Sequence, residues 1–116
     1  MTVCKRGDVV LVPFPFSDQT TTKKRPAVVI SSDAYNNISS DIVIMAITSQ
    51  TEKAIVIGEC LIADWQGAGL LKPSAIKPAI STIEQTLVLK KLGRLSPQDL
   101  ISIDIALKKF LDLKTK

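Results

Sequence analysis

The chain contains no histidine among its 116 residues. That absence removes every mechanism in which imidazole serves as acid, base or metal ligand. Any catalysis must therefore come from arginine, lysine, carboxylates or hydroxyls. The two cysteines, Cys4 and Cys60, are far apart and form no CxxC spacing. Neither a zinc site nor a disulfide framework is suggested, and reduced, partly buried thiols are expected. No apolar run approaches the roughly 18 residues that a membrane helix needs, and Met1 to Asp8 carry no apolar stretch behind their charges. A cytoplasmic protein with no membrane partner is expected, and no metal or cofactor is expected. Internal repeats, low-complexity tracts and linkers are also missing, so residues 1–116 read as a single domain.

Hydrophobic residues make up 46% of the chain and charged residues 22%, which is ordinary for a globular protein and too apolar for disorder. A core of this size forms without disulfides or metal. Fifteen Lys and Arg against eleven Asp and Glu leave a net charge of +4. That excess permits binding to phosphate backbones, but it is also common in proteins that never touch nucleic acid.

Val9 to Val12 is an apolar, mostly β-branched run that stops at Pro13 and Pro15, as a buried strand entering a loop does. Phe14 to Lys24 has no periodicity and reads as a long loop with a basic end. Its eleven residues exceed the roughly 4 to 6 usual for connections in compact domains, and such loops are often functional. Ala27–Ile30 is predicted as a second strand, Ser32–Tyr35 as a helical turn, Asn36 and Asn37 as a turn, and Asp41–Ile47 as a third strand. Ala54–Ile57 is expected to pair back through a turn at Glu52 and Lys53. Gly58–Gly69 is irregular, and Ser74–Lys77 reads as a short strand that Pro73 and Pro78 confine to an edge or barrel rim. Ser96, Pro97 and Asp99 form a helix start. Leu100, Ile103, Leu107, Phe110 and Leu111 then share one face to about Leu113, predicted to pack on the sheet. Lys108, Lys109 and Lys114 suit the negative end of that helix. The class is mainly β with a closing helix.

Lys23, Lys24 and Arg25 place three cations before Pro26, which restricts Arg25 to extended backbone. A guanidinium there is able to hold a phosphate through two parallel hydrogen bonds; a solvated basic loop explains the same tripeptide. Thr48 and Ser49 end a buried strand and offer hydroxyls to phosphate or ribose, or simply satisfy the strand end. Phe14, Phe16, Tyr35 and Trp65 are the aromatics available for stacking on unpaired bases. Phe14 and Phe16, in the loop, are the better placed, with core or interface packing as the alternative role.

Three separated pieces resemble the MazF/PemK family in order: Arg6-Gly7-Asp8-Val9-Val10, Arg25-Pro26-Ala27-Val28-Val29 and Ile47-Thr48-Ser49-Gln50. Gly69-Leu70, Ser74 to Lys77 and Leu92-Gly93-Arg94-Leu95 extend the resemblance over nearly the whole chain. It implies a small SH3-like β-barrel with a C-terminal helix, working as a homodimer toxin of a toxin–antitoxin system. It implies cleavage of single-stranded RNA at short sequences, by attack of the RNA's own 2′-hydroxyl without metal, to leave a 2′,3′-cyclic phosphate and a 5′-hydroxyl. A cognate antitoxin protein would neutralise the toxin, and operator DNA is a further partner expected for the toxin–antitoxin complex. The catalytic pair maps to Arg25 and Thr48, with Ser49, Gln50, Lys23, Lys24, Phe14 and Phe16 expected on the RNA. Because a guanidinium keeps its proton, Arg25 is assigned electrostatics rather than deprotonation. Some relatives carry a loop glutamate where this chain has Thr20, Thr21 and Thr22; Asp18 is the nearest substitute as acid or base. A second departure is Leu71–Pro78, where prolines, Lys72 and Lys77 replace a polar stretch. Gly7 and Asp8 read as parts of the turn into the first strand. A gyrase-binding toxin resembling CcdB, and a binding-only relative without turnover, are the competing readings.

Overall fold

The computed structural model describes residues 3–14, 23–51 and 56–114. Phe16 and Asp18, most of the Phe14–Lys24 loop, and residues 52–55 of the expected hairpin lie outside them. The elements are β1 (Asp8–Phe14), β2 (Lys23–Val29), α1 (Asp33–Ile38), β3 (Asp41–Thr48), β4 (Cys60–Leu61), β5 (Ala75–Glu84), β6 (Lys90–Arg94) and α2 (Pro97–Leu111). They build one six-stranded sheet in the order β4-β5-β3-β2-β1-β6, antiparallel at every pairing. The sheet curls into a half-barrel that β4 and β6 terminate, with α2 closing one side.

The central strands are apolar on both faces because both faces are covered. Val10, Val12, Ala27, Val29, Ile42 and Ile44 enter one core, and Val9, Val28, Met45 and Ile47 enter a second with Leu95 and Ile103. Alternation along each strand therefore sends consecutive residues into different cores, and the strands read as unbroken hydrophobic runs.

Three strands are longer than their sequence suggests, beginning with β1, which does not stop at Pro13 but runs to Phe14. β2 starts at Lys23 rather than Ala27, because β1 continues through Pro13 to Phe14 and pairs with it, Pro13 opposite Lys24 and Phe14 opposite Lys23. The basic residues assigned to a loop end are thus fixed on a strand. β5 runs on to Glu84 instead of ending at Lys77, and it sits between β4 and β3 rather than at an edge. Pro78 is tolerated because, among the described residues, β4 covers only Ala75 and Ile76, and because the β3–β5 register shifts between Met45 and Ile47.

Ser32 caps α1, accepting from the Tyr35 N–H at 3.1 Å. Asn36, expected in a turn, lies inside that helix and is buried. Its side chain is satisfied there: the Ser31 hydroxyl donates to its Oδ1, and its Nδ2 donates to the Ser31 carbonyl at 3.1 Å. Gln85 ties the same corner to the N-terminal segment. Its Nε2 donates to the Asn36 carbonyl at 2.8 Å, and its Oε1 accepts from the Cys4 N–H at 3.0 Å.

At α2 the sequence signals are met, since the Ser96 side chain accepts from the Asp99 N–H at 3.1 Å and Pro97 opens the helix. The helix stops at Leu111, where Asp112 takes a left-handed conformation. Its apolar stripe is only half used: Ile103 is buried and Leu100 and Leu107 pack beside it, but Phe110 and Leu111 are 40% and 50% exposed. Val56 and Ile57, expected in a strand, are likewise exposed, with Ile57 in a turn. Cys4 and Cys60 are both free thiols. No helix among the described residues is long and apolar enough to cross a membrane.

Candidate active site

β1 finishes at Phe14, β2 starts at Lys23, β3 finishes at Thr48, β5 starts at Ala75 and β6 starts at Lys90. Antiparallel order brings all five ends to the same side of the sheet, around a cleft of about 650 Å³. That volume is within the range of about 300–1,000 Å³ usual for ligand sites.

Pro26 explains why the strands part there. The β2–β3 ladder ends at Ala27 opposite Ala46, and Pro26 has no N–H with which to continue it. Carried two residues further, the same register sets Arg25 across from Thr48, and both line the cleft. Arg25 is half-buried and Thr48 is 8% exposed. The Thr48 Oγ1 accepts from the Gln50 N–H at 3.1 Å. This bond fixes the hydroxyl oxygen and leaves its proton to be donated into the cleft.

The opposite wall is the segment from Gly69 to Ser74. Gly69 has φ +82°, and a Cβ on it would stand 2.0 Å from the Leu92 carbonyl oxygen. Only glycine allows the wall this close to β6. Gly93 has the same restriction from the other side, where a Cβ would meet the Ala68 backbone at 2.5 Å. At its far end the buried Ser74 hydroxyl donates to the Lys72 carbonyl at 2.9 Å. The wall's base is tied to α2: the Asp99 carboxylate accepts from the Ala63 and Asp64 N–H groups at 2.8 and 3.0 Å.

The lining is cationic on its polar side and aliphatic elsewhere. Lys23, Lys24, Arg25, Lys72 and Lys90 all border the cleft, with Thr48, Ser49 and Ser74, and no carboxylate does so among the described residues. Cations in a partly enclosed site focus a positive potential that favours phosphate. No group of three or more potential metal ligands occurs among the described residues.

Of the residues singled out from sequence, Arg25, Thr48, Ser49, Lys23 and Lys24 are brought together here. Gln50 serves the site through its backbone, and its exposed side chain does not border the cleft. Phe14 contributes a strand end. Tyr35 lies half-exposed on α1 and Trp65 packs against the core under α2, so neither stands in the cleft. Lys90, Leu11 and Leu92 are lining residues that the sequence reading did not single out for the site. Lys90 comes from an edge strand with no motif of its own, and its place became visible only through pairing with Leu11.

Gly7 and Asp8 are structural, as expected. Gly7 has φ +93° and donates to the Val29 carbonyl at 2.8 Å. Asp8 is buried, accepts from the Lys5 N–H and pairs with Arg94 at 3.1 Å and Lys91 at 3.4 Å. Arg6 locks the N-terminal segment to α2 through Asp104 at 2.7 Å and donates to the Ile30 carbonyl at 3.0 Å.

Comparison with known proteins agrees with this fold. Among curated proteins none matches the sequence with significance. Solved structures with the same fold include an endoribonuclease bound to its cognate antitoxin from a mycobacterial species, with TM-score 0.79, 18% identity, and coverage of 97% of this chain and 99% of that one. The Mycobacterium tuberculosis toxin MazF-mt6 superposes with TM-score 0.76 at 16% identity, covering 93% and 99%. MazF from Deinococcus radiodurans gives TM-score 0.76 at 18% identity, covering 97% and 100%. The family model of PemK-like, MazF-like toxins of type II toxin–antitoxin systems matches residues 5–111, and this chain belongs to that family.

Proposed function

We propose that this toxin is an endoribonuclease that cleaves single-stranded RNA without metal. The observation that carries the reading is the placement of Arg25 and Thr48 on facing strand ends in a cleft bordered by cations. Family membership and the endoribonucleases among its structural neighbours support it.

The reaction the site suits is intramolecular. The RNA 2′-oxygen forms a bond to the adjacent phosphorus while the bond from phosphorus to the 5′-oxygen breaks. The 2′ proton leaves to a base, and the departing 5′-oxygen takes a proton. A 2′,3′-cyclic phosphate and a 5′-hydroxyl result. The nucleophile is already attached to the substrate, so the protein's main task is to stabilise charge on the phosphorane. The Arg25 guanidinium and the Thr48 hydroxyl donate to its oxygens, with Ser49 beside them. Donors preorganised toward developing charge are usually the largest catalytic contribution, and removing one costs about 10²- to 10³-fold. Lys23 and Lys24 attract the flanking phosphates, and Asp18, outside the described residues, is assigned as the acid or base.

Two partners complete the proposal. The exposed Val56, Ile57 and Ile105 border one groove beside α2, an apolar surface suited to a second copy of the chain, which gives the homodimer. A cognate antitoxin is the second partner, as in the complexes among the structural neighbours.

Incubation with a long single-stranded RNA, followed by mapping of the new ends, tests the reaction. Cyclic phosphate and 5′-hydroxyl termini at discrete positions are expected. Ends carrying a 5′-phosphate would contradict the mechanism. Intact RNA across several substrates would favour a gyrase-binding or binding-only toxin.

A further inference from the structure

The cleft carries cations on more than one wall, and the proposed catalytic pair uses only one of them. Lys23, Lys24 and Arg25 rise from β2, whereas Lys90 rises from β6, on the far side of β1. At about 4.8 Å per strand, β2 and β6 are about 10 Å apart. Lys72 stands on the segment that forms the facing wall.

Between these groups the surface is aliphatic. Leu11 pairs with Pro26 on one side and with Lys90 on the other, so the three lie side by side on one face of the sheet. Half-buried Leu70 and Leu92 adjoin them in the cleft. On that face Lys24, the apolar floor and Lys90 follow one another, an order that matches a strand in which a nucleoside separates successive phosphates.

Lys91 is committed to Asp8 at 3.4 Å, whereas neither Lys90 nor Lys72 has a carboxylate partner among the described residues. A lysine on an edge strand also discourages strand-to-strand aggregation. That role needs no position in the cleft and predicts no effect on RNA.

We propose that Lys90, with Lys72 on the facing wall, binds a second phosphate of the RNA strand, one nucleoside removed from the phosphate at Arg25 and Thr48. The intervening base lies on the floor of Leu11, Pro26 and Leu92. The inference rests on the reading of this cleft as an RNA site and adds Lys90 and Lys72 as positioning residues.

The test is binding of a random-sequence 2′-fluoro single strand, which lacks the attacking hydroxyl, over a salt series. In single strands each phosphate contact contributes about 0.7 to the slope of log affinity against log salt. Lys90→Ala and Lys72→Ala should each reduce the slope, the double variant by about that amount, and each should weaken binding several-fold at low salt. Lys90→Arg should restore both, and Lys108→Ala, on α2, should match the unaltered protein. An unchanged slope in Lys90→Ala and Lys72→Ala would overturn the second phosphate site and leave the RNA reading standing. Failure of the unaltered protein to bind the strand would overturn both.

Discussion

Arg25 and Thr48 face one another across the parted ends of β2 and β3, held there by a register that Pro26 stops from closing. The opening itself is therefore a backbone property. Restoring an N–H at position 26 gives the ladder a donor it lacks. Pro26→Ala is expected to lower RNA cleavage while leaving the fold intact, checked by rate and melting temperature together.

Thr48 tests the hydroxyl separately from the packing. Thr48→Ser keeps the donor and should retain most of the activity. Thr48→Val keeps the shape but removes the hydroxyl, and a loss of about 10²-fold in kcat is expected. Stability should fall by only about 1 kcal/mol through the lost bond to Gln50. Equal activity in the two variants would remove Thr48 from the mechanism.

Gly69 should be intolerant of any side chain. With φ +82° and the Leu92 carbonyl oxygen 2.0 Å from a built Cβ, Gly69→Ala combines left-handed strain with a backbone clash. A loss above about 2 kcal/mol in denaturant unfolding is expected. Gly93→Ala should act on the same contact, so the double variant should lose less than the sum of the two single losses.

Asp99 holds the base of the cleft wall by two backbone N–H groups and the Ser96 hydroxyl. Asp99→Ala leaves the Ala63 and Asp64 donors without their acceptor, at a cost of about 2–4 kcal/mol. Thermal unfolding measures it directly.

The Cys60 thiol is pushed up to about 11, by burial first and by the Asp99 charge second; burial also raises Cys4. Thiolate is the reactive form, so both cysteines should resist iodoacetamide at pH 8 in the folded protein and react on denaturation. The linkage has a definite sign. The folded state favours the protonated thiol, so this contribution is intact below the ordinary thiol value of about 9 and is lost as pH rises from there toward 11.

The gathering of Lys23, Lys24, Arg25, Thr48 and Ser49 at one cleft was legible in sequence, because a basic tripeptide before a proline and a hydroxyl pair after an apolar run are local signals. The family resemblance then joined them. Residues that only tertiary pairing brings near were not legible. Lys90 sits on a strand with no distinguishing pattern, and it enters the cleft because Leu11 lies between it and Pro26. β5 was cut short for the opposite reason: Pro78 is a strong local stop, overridden where the neighbouring strand ends and the register slips. At Phe110 and Leu111 periodicity marked an apolar face correctly, but it does not specify what covers that face.

The most direct test of the central claim is the single-turnover rate of RNA cleavage in excess EDTA for the unaltered protein, Arg25→Lys and Arg25→Ala. The account predicts full activity in EDTA, a partial loss with lysine, which keeps charge but not the paired donors, and a loss of about 10²- to 10³-fold with alanine. Cleavage that needs added metal, or that survives Arg25→Ala undiminished, would contradict it.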